Sequence, residues 1–432
     1  MTAGDERRGS TTAPSSGATE HRSGPDGDAG SVRVGRRWLI LSFAGLGATA
    51  ATVSAVLPAM AETLAVPVGE LTAAVPAVFL GVLGGVLVAP LVGLRMPTAS
   101  TVRIGSLLQA AGLLLAAVAG EAGWFVAGAA VAGFGFGLVE VAGSASTHSV
   151  EPSAAPQLLL RLTLVVAIVA TLIPVLVLGA SALGLVRVVP LFAATLQLLA
   201  ACWPRRQTSA RPTESALRRA VEPANGDSPA LGRVVLLRIG VLAAGVFCYV
   251  GIETVLSGWS AATLAVEFGA GAGVAALGTS AFWLLISLGR LSGAMADRRL
   301  APRVVLVVAV TGLTTAVVAA ALTSDANATV SVGLSGVAVF FAGPCYAVLL
   351  GTGLGMLPAT RAVPLTSTLV ALGAAGGAVI PLVATTVIGF GGRSPLGPAA
   401  VAAALLLVTV LITVAMSRGR RAAAVQDGGG AA

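Results

Sequence analysis

The sequence predicts an all-α integral membrane protein: twelve transmembrane helices arranged as two six-helix bundles. Three observations lead there. Apolar stretches recur along the whole chain, the charged residues fall almost entirely between them, and one long polar segment divides the stretches six and six. With 56% hydrophobic and 10% charged residues, the chain is far from the roughly 25% charged content of water-soluble domains.

The stretches cover residues 38–61, 71–93, 101–120, 124–147, 157–180, 183–203, 234–258, 271–296, 304–322, 329–356, 363–389 and 396–416. At a rise of roughly 1.5 Å per residue, each is long enough for a helix across the roughly 30 Å hydrocarbon layer. Helices satisfy their own backbone hydrogen bonds, which lipid cannot do for them.

The chain contains no lysine, so its 26 basic residues are all arginine. With the N-terminus placed inside, every arginine but Arg187 and Arg393 falls in the tails or in alternate gaps on the inner side. The outer gaps carry Glu62, Glu70, Glu121, Glu267 and Asp325 instead. Inner loops retain positive charge, so the pattern predicts a multi-pass protein of the cell inner (plasma) membrane with both termini cytoplasmic. The same rule accounts for the net charge of +8 without nucleic acid as a partner.

Five regions follow: a polar, disordered cytoplasmic tail (1–34), an N-terminal bundle (35–203), a cytoplasmic linker (204–232), a C-terminal bundle (233–417) and a short tail (418–432). Cys202, Cys248 and Cys345 lie singly in separate stretches, which gives neither a disulfide framework nor a metal site. His21 and His148 stand apart from any acid or nucleophile, and no phosphate-binding loop is present, so neither an enzyme nor an ATP-driven pump is expected. No cofactor is called for. The expected partners are a small-molecule substrate, protons and the bilayer, with the chain acting as a monomer.

Between the eighth and ninth stretches stands "GRLSGAMADRRLAPR", residues 289–303, with Gly289, Arg290, Gly293, Asp297, Arg298 and Arg299. It resembles the cytoplasmic signature of the major facilitator superfamily, whose two halves rock about a midplane site. In that reading Gly293 lets helices approach, and Asp297 pairs with arginine to hold the cytoplasmic side closed. The matching gap in the first half, "GLRMPTASTVR", has Pro97 where the acid belongs, so any such latch falls mainly to Asp297.

The order of "GFGFGLVEVAGSAS" in the fourth stretch, "YVGIETVLSGW" in the seventh, "FWLLISLGRLSG", "FFAGPCYAVLLG" and "GAAGGAVIPLV" resembles the fucose-permease-like branch of that superfamily, in which proton and sugar move together. The resemblance implies proton coupling at Glu140. The branch pairs that glutamate with a first-span aspartate, whereas this chain has Ser54 there, so a coupled proton rests on Glu140 alone or with Glu253.

Of the 18 carboxylates, only Glu140 and Glu253 lie well inside a stretch, where an uncompensated charge costs roughly 2.5–3.5 kcal/mol. The structural alternative for Glu140 is pairing with Arg161 or with backbone freed by the glycine-rich run. Glu253, read as lying in the outer half of the seventh stretch, is a gate residue, a substrate ligand or an interfacial carboxylate. Tyr249, Trp259 and Tyr346 are candidate substrate or gate aromatics, with Trp259 at a typical interfacial belt position. Asn225 and Asn327 fall in loops and the span amides are Gln109 and Gln197, a poor set for binding sugar hydroxyls. The functional expectation is a proton-coupled secondary transporter of a sugar-like or small amphipathic solute, with a proton-antiport exporter and a membrane scaffold or sensor as alternatives.

Overall fold

The computed structural model describes residues 25–150, 155–203, 233–296, 299–354, 359–389 and 395–428. They form twelve helical passes: α1 (Pro25–Leu64), α2 (Ala74–Arg95), α3 (Thr98–Val118), α4 (Ala122–Val150), α5 (Ala155–Ala182), α6 (Val188–Cys202), α7 (Arg233–Gly258 with Ser260–Phe268), α8 (Ala272–Ala296), α9 (Pro302–Thr323), α10 (Ala328–Ala342 with Cys345–Leu354), α11 (Ala359–Gly389) and α12 (Leu396–Gly428). Eleven of these are long and apolar enough to span a bilayer, and α6 is a shorter apolar helix of 15 residues. The chain is a multi-pass membrane protein. The linker expected at 204–232 lies outside the described residues, as do Asp297 and Arg298.

Several boundaries differ from expectation, each for a local reason. α1 starts at Pro25, inside the stretch read as a tail; proline has the fixed φ of a first helical residue. α6 begins only at Val188, because Gly184 takes a left-handed turn at φ 68°. α10 is interrupted at Gly343–Pro344, since proline offers no amide to continue the ladder. Pro174 and Pro381, by contrast, are carried within unbroken helices.

α7 does not stop at Gly258. Trp259 N–H donates to Val255 O at 3.2 Å, Thr263 N–H donates to Trp259 O at 2.8 Å, and the helical path runs on to Phe268. It ends there because Gly269 adopts φ 59°, a left-handed cap.

The two bundles repeat one plan. α1 lies on α5 and α6 as α7 lies on α11 and α12, and α3 lies on α4 as α9 lies on α10. The halves meet through α2 with α11 and α5 with α8. Those contacts gather toward the end of the molecule away from the termini, the loop end: Gly258 against Val75, Gly273 against Leu178, and Ser280 Oγ donating to Thr171 O at 2.6 Å.

Within the N-terminal half, α2 and α4 touch backbone to backbone. Gly81 and Gly85 abut the carbonyls of Ala130 and Phe134, while Gly133 and Gly137 abut those of Val78 and Val82. Without a hydrophobic force between helices in lipid, close van der Waals contact of this kind is what holds them together.

Arg187, one of the two outer exceptions to the charge pattern, has a structural use. Its Nη1 and Nη2 donate to Ala117 O at 3.1 Å and Ala119 O at 3.0 Å, carbonyls that the end of α3 leaves open. Arg238, buried near the start of α7, likewise donates to Met416 O of α12.

The α2–α4 contact leaves no room for a methyl group at Gly137, whereas at Gly93 a Cβ would meet nothing within 4 Å. Thermal unfolding in detergent should therefore show Gly137→Ala destabilised by about 1–3 kcal/mol and Gly93→Ala changed by less than about 0.5 kcal/mol. Equal effects at the two positions would contradict the backbone contact.

Candidate functional site

The interior charges come together near one level of the bundle. Glu140, Arg290 and Tyr346 stand the same 18 residues beyond Ala122, Ala272 and Ala328, the loop-end first residues of α4, α8 and α10. Glu253 meets them from α7. Because that helix runs on to Phe268, Glu253 sits near the middle of its length, not in the outer half as the sequence suggested.

Arg290 Nη2 lies 3.4 Å from Glu253 Oε1, both an ion pair and a hydrogen bond, with the two side chains 42% and 22% exposed. The sequence motif groups Arg290 with the cytoplasmic gate. The structure places it inside α8, six residues before Ala296, as the counter-charge of Glu253. Gly289 and Gly293 also act within the C-terminal half, against Phe340, Gly343 and Pro344 of α10. Of the remaining gate residues, Arg299 is an exposed turn residue beyond α8.

Glu140 has Glu253 within electrostatic reach. Among the described residues it has no ion pair or hydrogen bond, so the alternative pairing with Arg161 is not formed. The cluster thus holds two carboxylates and one guanidinium, and Glu140 is the acid left without a partner.

Tyr249 is one helical turn from Glu253 on the same face of α7 and is fully buried. Its hydroxyl stands beside the Glu253 carboxylate without closing a hydrogen bond of ordinary geometry, and its ring lies 6.0 Å from that of Tyr346, tilted by 34°. Tyr346 is within electrostatic reach of Glu140, Glu253 and Arg290. One glutamate from the N-terminal half therefore has Glu253 and the Tyr346 phenol of the C-terminal half within electrostatic reach, while Arg290 and Tyr249 stand beside Glu253.

Trp259 belongs elsewhere. It is 5% exposed at the joint of α7, lining a loop-end cleft, and so is not a belt residue. Gln109 and Gln197 are also removed from the cluster: both are fully buried within the N-terminal half, where Gln197 Nε2 donates to Gln109 Oε1 at 2.8 Å and to Thr49 Oγ1 at 3.1 Å. The residue whose role sequence reasoning missed is Arg290. The available signal was its position within an apolar run, with six uncharged residues still to come before Asp297.

The ion pair can be tested through its coupling. Arg290→Gln and Glu253→Gln should each destabilise the protein by leaving a lone charge, and the double variant should recover about 1 kcal/mol relative to the sum. Strictly additive single effects in thermal unfolding would show that the two groups do not interact.

No family model and no curated protein sequence matches the chain. Solved structures do. A D-xylose–proton symporter superposes with a TM-score of 0.67 at 13% identity, covering 89% of this chain and 97% of that one. A POT family transporter solved with a thioalcohol-conjugated peptide gives 0.67 at 12% identity, covering 90% and 96%. The E. coli fucose:proton symporter gives 0.55 at 18% identity, covering 89% and 99%. Two six-helix bundles with their helices in this order are the fold those transporters share, and this chain has the major facilitator fold.

Proposed function

We propose that the protein is a secondary active transporter that moves a small solute by alternating access and couples it to protons through Glu140. The observation that carries this reading is an interior carboxylate without a counter-charge, placed where both halves contribute to one cluster. Such a group is costly in a membrane unless it has work to do. A proton can enter it from one face and leave it toward the other when the halves rock.

Applied to the structure, the positive-inside rule puts the ends carrying the termini in the cytoplasm. Contacts between the halves gather at the opposite end, so this conformation is closed outward and offers the cluster to the inner face. Asp297, Arg298 and Arg299 are then the residues that secure the alternate, inward-closed state.

Charge arithmetic favours exchange over symport. With Glu253 balanced by Arg290, the cluster carries one net negative charge when Glu140 is ionised and none when it is protonated. A proton and a cationic solute satisfy the same vacancy, which suits antiport of an amphipathic amine. The absence of amides from the cluster and the presence of two phenols agree with a cargo poor in hydroxyls.

In proteoliposomes, an imposed pH gradient should accelerate transport by the unaltered protein, and Glu140→Gln should remove that acceleration. Equal gradient dependence in the two proteins would take Glu140 out of coupling. For the gate, Asp297→Asn should raise the labelling of single cysteines placed on the cytoplasmic face, while Pro97→Ala should change it much less; the opposite order would contradict the latch.

A further inference from the structure

The two halves share a plan, but one equivalent pair of helices departs from it. α2 and α4 touch along their length through four glycines. Their counterparts α8 and α10 meet closely around Gly289 and Gly343 and then diverge toward the loop end, where Gly336 faces the Leu285 side chain at 3.4 Å from a built Cβ. The divergence leaves a cleft of about 160 Å³ between α8, α10, the far part of α7 and the start of α12.

The lining of this cleft has a definite chemistry. Phe282 and Leu285 supply apolar wall. Ser260, Ser331 and Ser335 each donate their hydroxyl hydrogen to a backbone carbonyl, at 2.7, 2.8 and 2.9 Å, and Ser260 Oγ also pairs with Thr279 Oγ1 at 3.0 Å, so toward a ligand the three serines offer only their remaining oxygen lone pairs. Glu267 lies on the exposed rim, and Asp325 follows the lining residue Ser324. Neither carboxylate meets an arginine within ion-pair distance among the described residues. Arg393, two residues before the lining residue Pro395, lies outside them.

A second observation points to a ligand. Trp259 lines the cleft, is 5% exposed, and its indole N–H has no acceptor. A buried donor left unmade costs about 1–3 kcal/mol. Outside the cleft, Val266, Phe268 and Val330 face outward at 65%, 45% and 45% exposure, as residues against hydrocarbon do.

We infer that this cleft is a second binding site, separate from the interior cluster, for an amphiphile bearing an ammonium head and a neighbouring oxygen. The ammonium meets Glu267 and the serine oxygens, the oxygen accepts from Trp259, and the apolar body lies along α8 and α10 toward the lipid. The same chemistry occurs in a free amphipathic amine and in an ethanolamine lipid headgroup. The site does not depend on proton coupling at Glu140.

The test uses the full chain in phosphatidylcholine nanodiscs. The probe is N-(3-bromobenzyl)ethanolamine, whose unreactive aryl bromine sits close to the head group and quenches a nearby indole; the control is the neutral 2-(3-bromobenzyloxy)ethanol of equal length. Trp259→Phe isolates the Trp259 share of the quenching. The amine should quench Trp259 at concentrations about fivefold lower than the ether, and Glu267→Gln should erase that advantage. Gly336→Leu, which fills the cleft, should abolish the Trp259 quenching, while Glu140→Gln should leave it unchanged.

Equal quenching by amine and ether, or an advantage that survives Glu267→Gln, overturns the assignment. Adding phosphatidylethanolamine to the nanodiscs separates the two sources: displacement of the probe identifies the lipid headgroup as occupant, and persistence identifies a free amphiphile. Either result upholds the ammonium site. Gradient dependence that is equal in the unaltered protein and in Glu140→Gln, with probe binding intact in both, would refute the proposed coupling and leave this site standing.

Discussion

A charge inside a bilayer must be balanced or put to use, because the hydrocarbon supplies neither water nor counter-ions. That constraint orders this molecule at every scale. It sends nearly all arginines to the gaps between helices, gives Arg187 the open carbonyls at the end of α3 and gives buried Arg238 the Met416 carbonyl of α12. It joins Arg290 to Glu253 in the interior, and it singles out Glu140 as the acid that no neighbour neutralises.

Glycine makes the arrangement possible. Where α2 and α4 approach through bare backbone, the N-terminal half behaves as a tight unit; where α8 and α10 do so only around Gly289 and Gly343, the C-terminal half keeps a cleft. Those residues sit next to Arg290, so the close contact also fixes the helix that carries the counter-charge. The proposed transport cycle asks the halves to move against each other while each stays internally rigid, and the interior cluster spans that division.

The helices were legible in the sequence because an apolar run of sufficient length in lipid has few alternatives to a helix. What escaped was tertiary. The apolar stretch read from the sequence ends at Gly258, whereas the helical path runs on to Phe268 and brings Glu253 nearer the middle of the pass. Arg290 was grouped with the loop arginines although it is surrounded by apolar residues, since no spacing rule connects it to an acid 37 residues earlier. Trp259 was read as a belt residue because a tryptophan near a span end usually is one; the continuation of α7 buries it instead. Depth in the sequence marks Glu140 and Glu253 alike, and only the surrounding helices show that Glu253 has an arginine beside it and that Glu140 has none among the described residues.

In the proposed coupling Glu140, not Glu253, is the interior carboxyl that takes up the proton. Infrared difference spectroscopy of the protein in lipid, with its glutamates isotopically labelled, reads the protonated carboxyl stretch directly as pH is varied. An interior carboxyl band should disappear in Glu140→Gln and persist in Glu253→Gln. A band that persists in Glu140→Gln and vanishes in Glu253→Gln would contradict it.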